Sequence, residues 1–243
     1  MTALPFENIL ESLQRVEISL EGEFLQGSNY TFLVKVKTEG LEPFLAVYKP
    51  LKGERILWDF PDNTLGHRET AAFLVSQALG WDFVPPTVFR DDGPYGPGSL
   101  QLFVDHDPNY HYFNFTDQDF QRLRPVVLFD LLINNADRKG SHVIFGEDGH
   151  LWLIDHGLCF NVEEKLRTVI WDFAGDPVPD DLRGDLRGFR AKLDPPSELL
   201  ETLKAHLAPK EISMLTKRAD QLITMEYLPF PPNDRRAYPY PPI

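Results

Sequence analysis

Two aspartates, Asp137 and Asp155, stand 18 positions apart and carry the strongest chemical signal in the chain. Asp137 lies in a polar run, Asn134 to Ser141, that directly follows an apolar helical stretch. The segments His142 to Phe145 and Leu151 to Ile154 flank the turn Glu147-Asp148-Gly149 and read as a β-hairpin. A hairpin returns the chain, so both carboxylates can meet at one of its ends. Converging carboxylates repel unless a cation lies between them, and a hard divalent cation such as Mg²⁺ takes oxygen ligands. The same spacing also suits a turn aspartate followed by a capping or salt-bridged one, and spacing alone does not choose between the two readings.

Lys49 closes a strand on the face that carries Leu45 and Val47. A buried ammonium on an apolar face needs a partner, and Glu69 follows 20 positions later on a helix. A strand lysine held by a helix glutamate can present its ammonium to phosphates; a lysine that snorkels to water is the alternative. Gly27-Ser28-Asn29 forms a turn between two strands, where free backbone N–H groups can cover phosphates, although such a turn also serves simply as a turn. The order is more specific than any member: glycine turn, strand lysine, helix glutamate, loop aspartate, then Asp-His-Gly after a hairpin. It is the layout of a kinase-like fold.

The elements that must position these groups follow from periodicity. Residues 6–14 read as a short amphipathic helix. Strands are expected over 16–25, 30–37 and 44–49, with Phe32, Val34 and Val36 on one face and Pro50 as a stop. A helix over 66–79 ends at Gly80. Strands 86–90 and 99–104 flank a loop rich in Gly and Pro. Thr116 is the expected N-cap of one long buried helix over 117–134. Helices over 181–193, 197–207 and 210–227 follow, and from Leu228 six prolines in sixteen residues predict an extended segment. The expected class is α+β and bilobal. Residues 1–104 form a β-rich lobe with one key helix, 105–227 a mostly helical lobe with a hairpin, and 228–243 a proline-rich tail.

Ala136-Asp137-Arg138, the approach helix Val127 to Asn135, and Leu153-Ile154-Asp155-His156-Gly157-Leu158 together resemble the phosphatidylinositol 3-/4-kinase-like family, especially its short bacterial branch. The resemblance spans about residues 20 to 175. It implies that Asp137 is the catalytic-loop aspartate and Asp155 a metal ligand. It implies that Lys49 contacts the α- and β-phosphates with Glu69 as partner, and that Gly27, Ser28 and Asn29 cover them. Gln101, Leu102, Phe103 and Val104 would form the hinge whose backbone meets adenine, with Val47 packed on the ring. The implied cofactors are ATP with Mg²⁺ or Mn²⁺. Where the family usually has Asn as a second metal ligand, five positions after the aspartate, this chain has His142. Imidazole suits softer ions than Mg²⁺, which keeps a Mn²⁺ preference in play, as well as a pseudokinase-like nucleotide-binding module. AMP transfer is a third reading.

Composition narrows the acceptor. The net charge of −13 opposes binding to nucleic acid and to anionic membrane surfaces. The most apolar stretch, Val126 to Ile133, is too short to span a bilayer and contains Asp130. A protein or small soluble acceptor is therefore expected rather than a lipid. The N-terminus lacks the pattern of a signal peptide, and a single cysteine, Cys159, excludes an internal disulfide. Both fit a cytoplasmic protein. His106 and His111 sit in a proline-broken loop and are not read as a metal pair. His67, Cys159 and Trp171-Asp172-Phe173 are read as structural, and Arg167 as a surface ion pair.

Overall fold

A computed structural model describes residues 6–24, 30–38 and 42–243. Helix α1 (Phe6–Arg15) precedes strands β1 (Ile18–Phe24), β2 (Thr31–Val36) and β3 (Phe44–Pro50). Helix α2 (Leu65–Leu79) then leads to β4 (Thr87–Arg90) and β5 (Gly98–Leu102). The five strands form one antiparallel sheet in the order β1-β2-β3-β5-β4. Period-two alternation gives the sheet two jobs. Val34, Val36, Ala46, Tyr48 and Leu100 are buried with Leu13 of α1 on one face, while Val47, Lys49 and Gln101 look into a cleft on the other. Arg90 ties α1 to the sheet by donating to the Leu13 and Val16 carbonyls at its last turn.

Helix α2 is buried on nearly every side because it packs both on β4 and β5 and on helices of the second lobe. Its end is set by Gly80, which takes a left-handed φ of 74° and donates to the Ser76 and Gln77 carbonyls. Beyond the sheet come α3 (Asp117–Gln121), α4 (Arg124–Ile133), the hairpin β6 (Val143–Phe145) and β7 (Leu151–Leu153), and helices α5 (Asp180–Ala191), α6 (Glu198–Leu203) and α7 (Pro209–Thr224).

The single helix expected over 117–134 is two. Thr116 caps α3 as expected, its hydroxyl accepting from the Asp119 N–H. Pro125 has no N–H to donate to the Gln121 carbonyl and its ring would collide with it, so the chain restarts with Pro125 in the first turn of α4. The polar run after α4 is packed inside the protein: Asn134, Asn135 and Arg138 are fully buried. Asn134 donates to the Asn161 and Glu163 carbonyls and accepts from the Lys165 N–H, which satisfies a buried amide completely enough to explain its place there. Helix α7 stops at Thr224, three residues short of the expected end, where the chain turns into an extended segment that bridges Tyr227 to Pro177.

Candidate active site

A cleft of about 520 Å³ lies between the sheet and the helical lobe. On its sheet wall, Lys49 reaches across to Glu69 of α2, Nζ to Oε1 2.5 Å, and to Asp155, Nζ to Oδ1 3.0 Å. Glu69 is buried, and its second oxygen accepts the His156 backbone N–H at 2.9 Å. One glutamate thus joins β3 to the segment after the hairpin. Burial acts to lower the Lys49 pKa, but the Asp155 and Glu69 carboxylates outweigh it and raise the pKa above the ordinary lysine value. The Lys49 ammonium in turn holds the Asp155 carboxyl well below the usual carboxylate range, against the opposing effect of burial.

Asp155 has a left-handed φ of 61°, a conformation that short polar residues tolerate better than others. Its side chain stands half exposed to the cleft. His142 Nε2 lies 3.4 Å from its Oδ2. Burial depresses the His142 pKa to about 4, so the ring is neutral at pH 7 and offers a lone pair. Among the described residues no group of three or more His, Cys, Asp or Glu side chains converges as a metal cage. Asp155 with His142 is a two-donor set, which fits a divalent cation that takes its remaining ligands from phosphate and water.

Asp137 lies on the opposite wall of the same cleft. Asn135 Oδ1 accepts its backbone N–H at 2.9 Å, and Lys139 Nζ stands 3.4 Å from its carboxylate. Burial raises the Asp137 pKa, with Lys139 working the other way. Val47, Gln101, Leu102, Phe103 and Val104 line the far end of the cleft. There the Leu102 N–H donates to Pro86, which as a proline has no N–H to return. The Phe103 N–H is taken by the Leu45 carbonyl. The structure therefore brings Lys49, Glu69, Val47, residues 101–104, Asp137, His142 and Asp155 to one cavity; Gly27, Ser28 and Asn29 lie outside the described residues.

Sequence reasoning passed over four groups that build this site. Arg138 binds both oxygens of Asp130 through Nε and Nη2, and it also donates to the His142 and Ile154 carbonyls and to His156 Nε2. It joins α4, the Asp137 loop and the Asp155 segment in one buried network. The signal was an acid in the middle of an apolar helix, which demands a buried cation. Arg68 of α2 pairs with Glu211 and donates to the Cys159 carbonyl, fastening the helix that carries Glu69 to the second lobe. Lys139 carried no signal beyond adjacency. His106 lines the cleft with Nδ1 2.9 Å from the Val104 carbonyl, whereas His111 caps a short helical turn. Cys159 is a buried thiol whose pKa burial pushes up. Arg167 donates to the Ala136 carbonyl, and its charge acts to lower the Asp137 pKa; His67 stacks on Phe89 with centroids 3.7 Å apart.

Comparison with known proteins gives the family and the fold. Residues 63–204 match the model of the family described as phosphatidylinositol 3- and 4-kinase. Protein Rv2133c of Mycobacterium tuberculosis is 41% identical over 260 residues, covering 93% of this chain and 92% of that one. Phosphatidylinositol 4-kinase gamma 4 of Oryza sativa is 30% identical over 122 residues, which is 43% of this chain and 22% of the plant protein. Among solved structures, hydra Fam20 with sugar superposes with a TM-score of 0.59 at 15% identity, covering 90% of this chain and 88% of that one. The Golgi casein kinase with Mn/ADP bound gives 0.56 at 16% identity over 90% and 74%. The last two likenesses concern the fold, and they bear out the bilobal kinase-like architecture expected from the order of elements. The chain belongs to the phosphatidylinositol 3- and 4-kinase family.

Proposed function

We propose that this protein is an ATP-dependent phosphotransferase acting on the hydroxyl of a protein or small soluble molecule. The observation that carries the reading is Lys49 held between Glu69 and Asp155 in a cleft whose other wall presents Asp137. That arrangement offers one fixed cation for the phosphates and one carboxylate for the incoming hydroxyl, and phosphoryl transfer asks little more of a protein than positioning and charge neutralisation. In this reading Lys49 contacts the α- and β-phosphates, and Glu69 keeps it aimed. Asp137 orients the acceptor hydroxyl and takes its proton. Asp155 and His142 hold a divalent cation, which when bound supplies charge neutralisation at the phosphates. Adenine lies against Val47, with the backbone from Gln101 to Val104 reading its edge.

The acceptor follows from charge. No helix among the described residues is long and apolar enough to cross a membrane, and the net charge of −13 works against an anionic lipid surface. The test is phosphoryl transfer from labelled ATP with Mg²⁺ and with Mn²⁺, to a peptide library, to soluble hydroxyl compounds, and to phosphoinositide vesicles. Transfer to peptides or soluble compounds that is lost in Lys49→Met and Asp155→Ala supports the reading. Robust labelling of the vesicles alone overturns the acceptor class, and equal activity in both variants overturns the site.

His142 favours a second reading, a nucleotide-binding module with little turnover, because a neutral imidazole replaces the family's usual oxygen donor beside Asp155. Tight nucleotide binding without hydrolysis, transfer or an AMP adduct in either metal would decide for it.

A further inference from the structure

The proline-rich segment that follows α7 does not run free. Its first residues pair with the stretch before α5: the Val178 N–H donates to the Glu226 carbonyl, and the Leu228 carbonyl accepts from Gly175 at 2.9 Å. Further on, Arg235 meets Glu164 at 3.6 Å. The Ala237 carbonyl accepts both the Thr168 N–H at 3.1 Å and the Trp171 indole N–H at 3.3 Å. The Pro242 carbonyl accepts the Gly140 N–H at 2.8 Å.

Gly140 is three residues past Asp137 and two before His142. Its neighbour Arg138 forms a parallel bridge with Thr168, through Arg138 N–H to Arg167 and Val169 N–H to Arg138. The Asp137 loop, residues 167–169 and the proline-rich segment therefore lie together, the segment bonding to both of the others. Toward Thr168 and Gly140 the segment presents carbonyls, those of Ala237 and Pro242. Prolines at 239, 241 and 242 suit that task, since they bring no N–H of their own to be left unpaired. Ala237 and Pro239 are buried in the contact, while Tyr238 and Tyr240 beside them point outward, Tyr240 79% exposed. The segment is held by its backbone more than by its side chains.

We infer that residues 237–242 are positioning residues for the Asp137 loop, the Pro242 carbonyl pinning Gly140 and so fixing the distance between Asp137 and His142. The effect on turnover rests on the proposed phosphotransferase function; the clamp itself does not. A loop freed at Gly140 leaves the lysine and hinge ends of the cleft untouched, so metal-free nucleotide affinity stays while the reacting groups lose their alignment.

The experiment compares the full chain with a variant lacking residues 241–243 and with Ala237→Asp, a substitution that lifts the segment at Thr168. Amide hydrogen exchange is followed residue by residue in each, with melting temperature as the check on folding. In the short deletion the Gly140 amide should exchange about tenfold faster, the factor that one lost hydrogen bond sets, while Thr168 stays protected. In Ala237→Asp, Thr168 should lose protection too. Without metal both variants should keep the parental dissociation constant for ADP, and with nucleotide and metal present both should show a lower kcat. A Gly140 amide that exchanges freely in the full chain, or at an unchanged rate in the deletion, overturns the clamp. Altered exchange with an unchanged kcat overturns its positioning role. A full chain that transfers no phosphoryl group under any condition refutes the proposed function instead, and the exchange rates still decide the clamp.

Discussion

Arg138 and Asp130 form an ion pair with side chains 0% and 1% exposed, one residue from Asp137. The guanidinium spends its remaining donors on the His142 and Ile154 carbonyls and on His156. Removing one partner of such a pair leaves a charge stranded in the interior, which costs about 3–5 kcal/mol. Arg138→Met should destabilise the protein by that amount in a urea titration. The double variant Asp130→Leu with Arg138→Met should recover much of the loss, because no charge is left alone. It should not recover turnover, since the Asp137 and Asp155 segments have lost their common anchor. Equal stability of the single and double variants would refute the stranded-charge account.

That pair also marks where the sequence was readable and where it was not. Asp155, Lys49 and Glu69 could be proposed together because each sits at an element end or face that local periodicity defines. Asp130 was visible as an acid among apolar residues, but its partner lies eight positions on in a run that reads only as polar. Only the tertiary fold buries that run, by laying residues 161–169 against it. The break at Pro125 was present in the sequence as a residue that cannot donate, yet Phe120 and Leu123 before it and the apolar run after it suggest one continuous helix. The contact of Pro242 with Gly140 joins residues 102 positions apart through backbone atoms alone. No side-chain pattern encodes it.

Asp137 should set the acid limb of activity. Burial raises its pKa, and Lys139 partly offsets the effect. A raised pKa means that the carboxylate is lost as pH falls through a value above the ordinary aspartate range. The plot of log kcat/KM against pH should therefore bend on the acid side above that range. Lys139→Met removes the opposing charge and should move the bend to higher pH. Asp137→Asn should lower kcat about 10²–10⁴-fold, the usual worth of a positioned general base, and abolish the bend. A bend that stays in place in Lys139→Met would mean that another group titrates.

His67 of α2 and His206 beyond α6 face each other with their Nδ1 atoms 3.2 Å apart, one from each lobe. Burial, with His67 adding to it, depresses the His206 pKa to about 4. In the unfolded chain a histidine titrates near about 6.5. The unfolded state therefore binds more protons between these values, so stability falls as pH drops from about 6.5 towards 4. The loss should be on the order of 2 kcal/mol, less than the full shift implies because the His206 ring is partly exposed. His206→Phe keeps a ring against Phe89 and His67 and should make the stability profile shallower over that window, with His142 supplying part of the slope that remains. An unchanged slope would place the acid sensitivity elsewhere.

His142 is the most direct test of metal choice. Its neutral ring lies against Asp155 in the position where the resemblance calls for an oxygen donor. Nitrogen donors favour Mn²⁺ over Mg²⁺ relative to an all-oxygen set, since Mg²⁺ is the harder ion and holds its waters more tightly. His142→Asn restores an amide oxygen at that point. It should lower the ratio of activity in Mn²⁺ to activity in Mg²⁺ by a factor on the order of ten, the scale on which groups around a metal move its affinity. The ratio is the informative quantity, because a general loss of fit would lower both activities together. Arg138 donates to the His142 backbone carbonyl and not to the ring, so the substitution leaves the buried network standing. If the ratio does not move, His142 does not touch the metal. Its place beside Asp155 would then be a matter of packing, and the cation would depend on Asp155 and the phosphates alone.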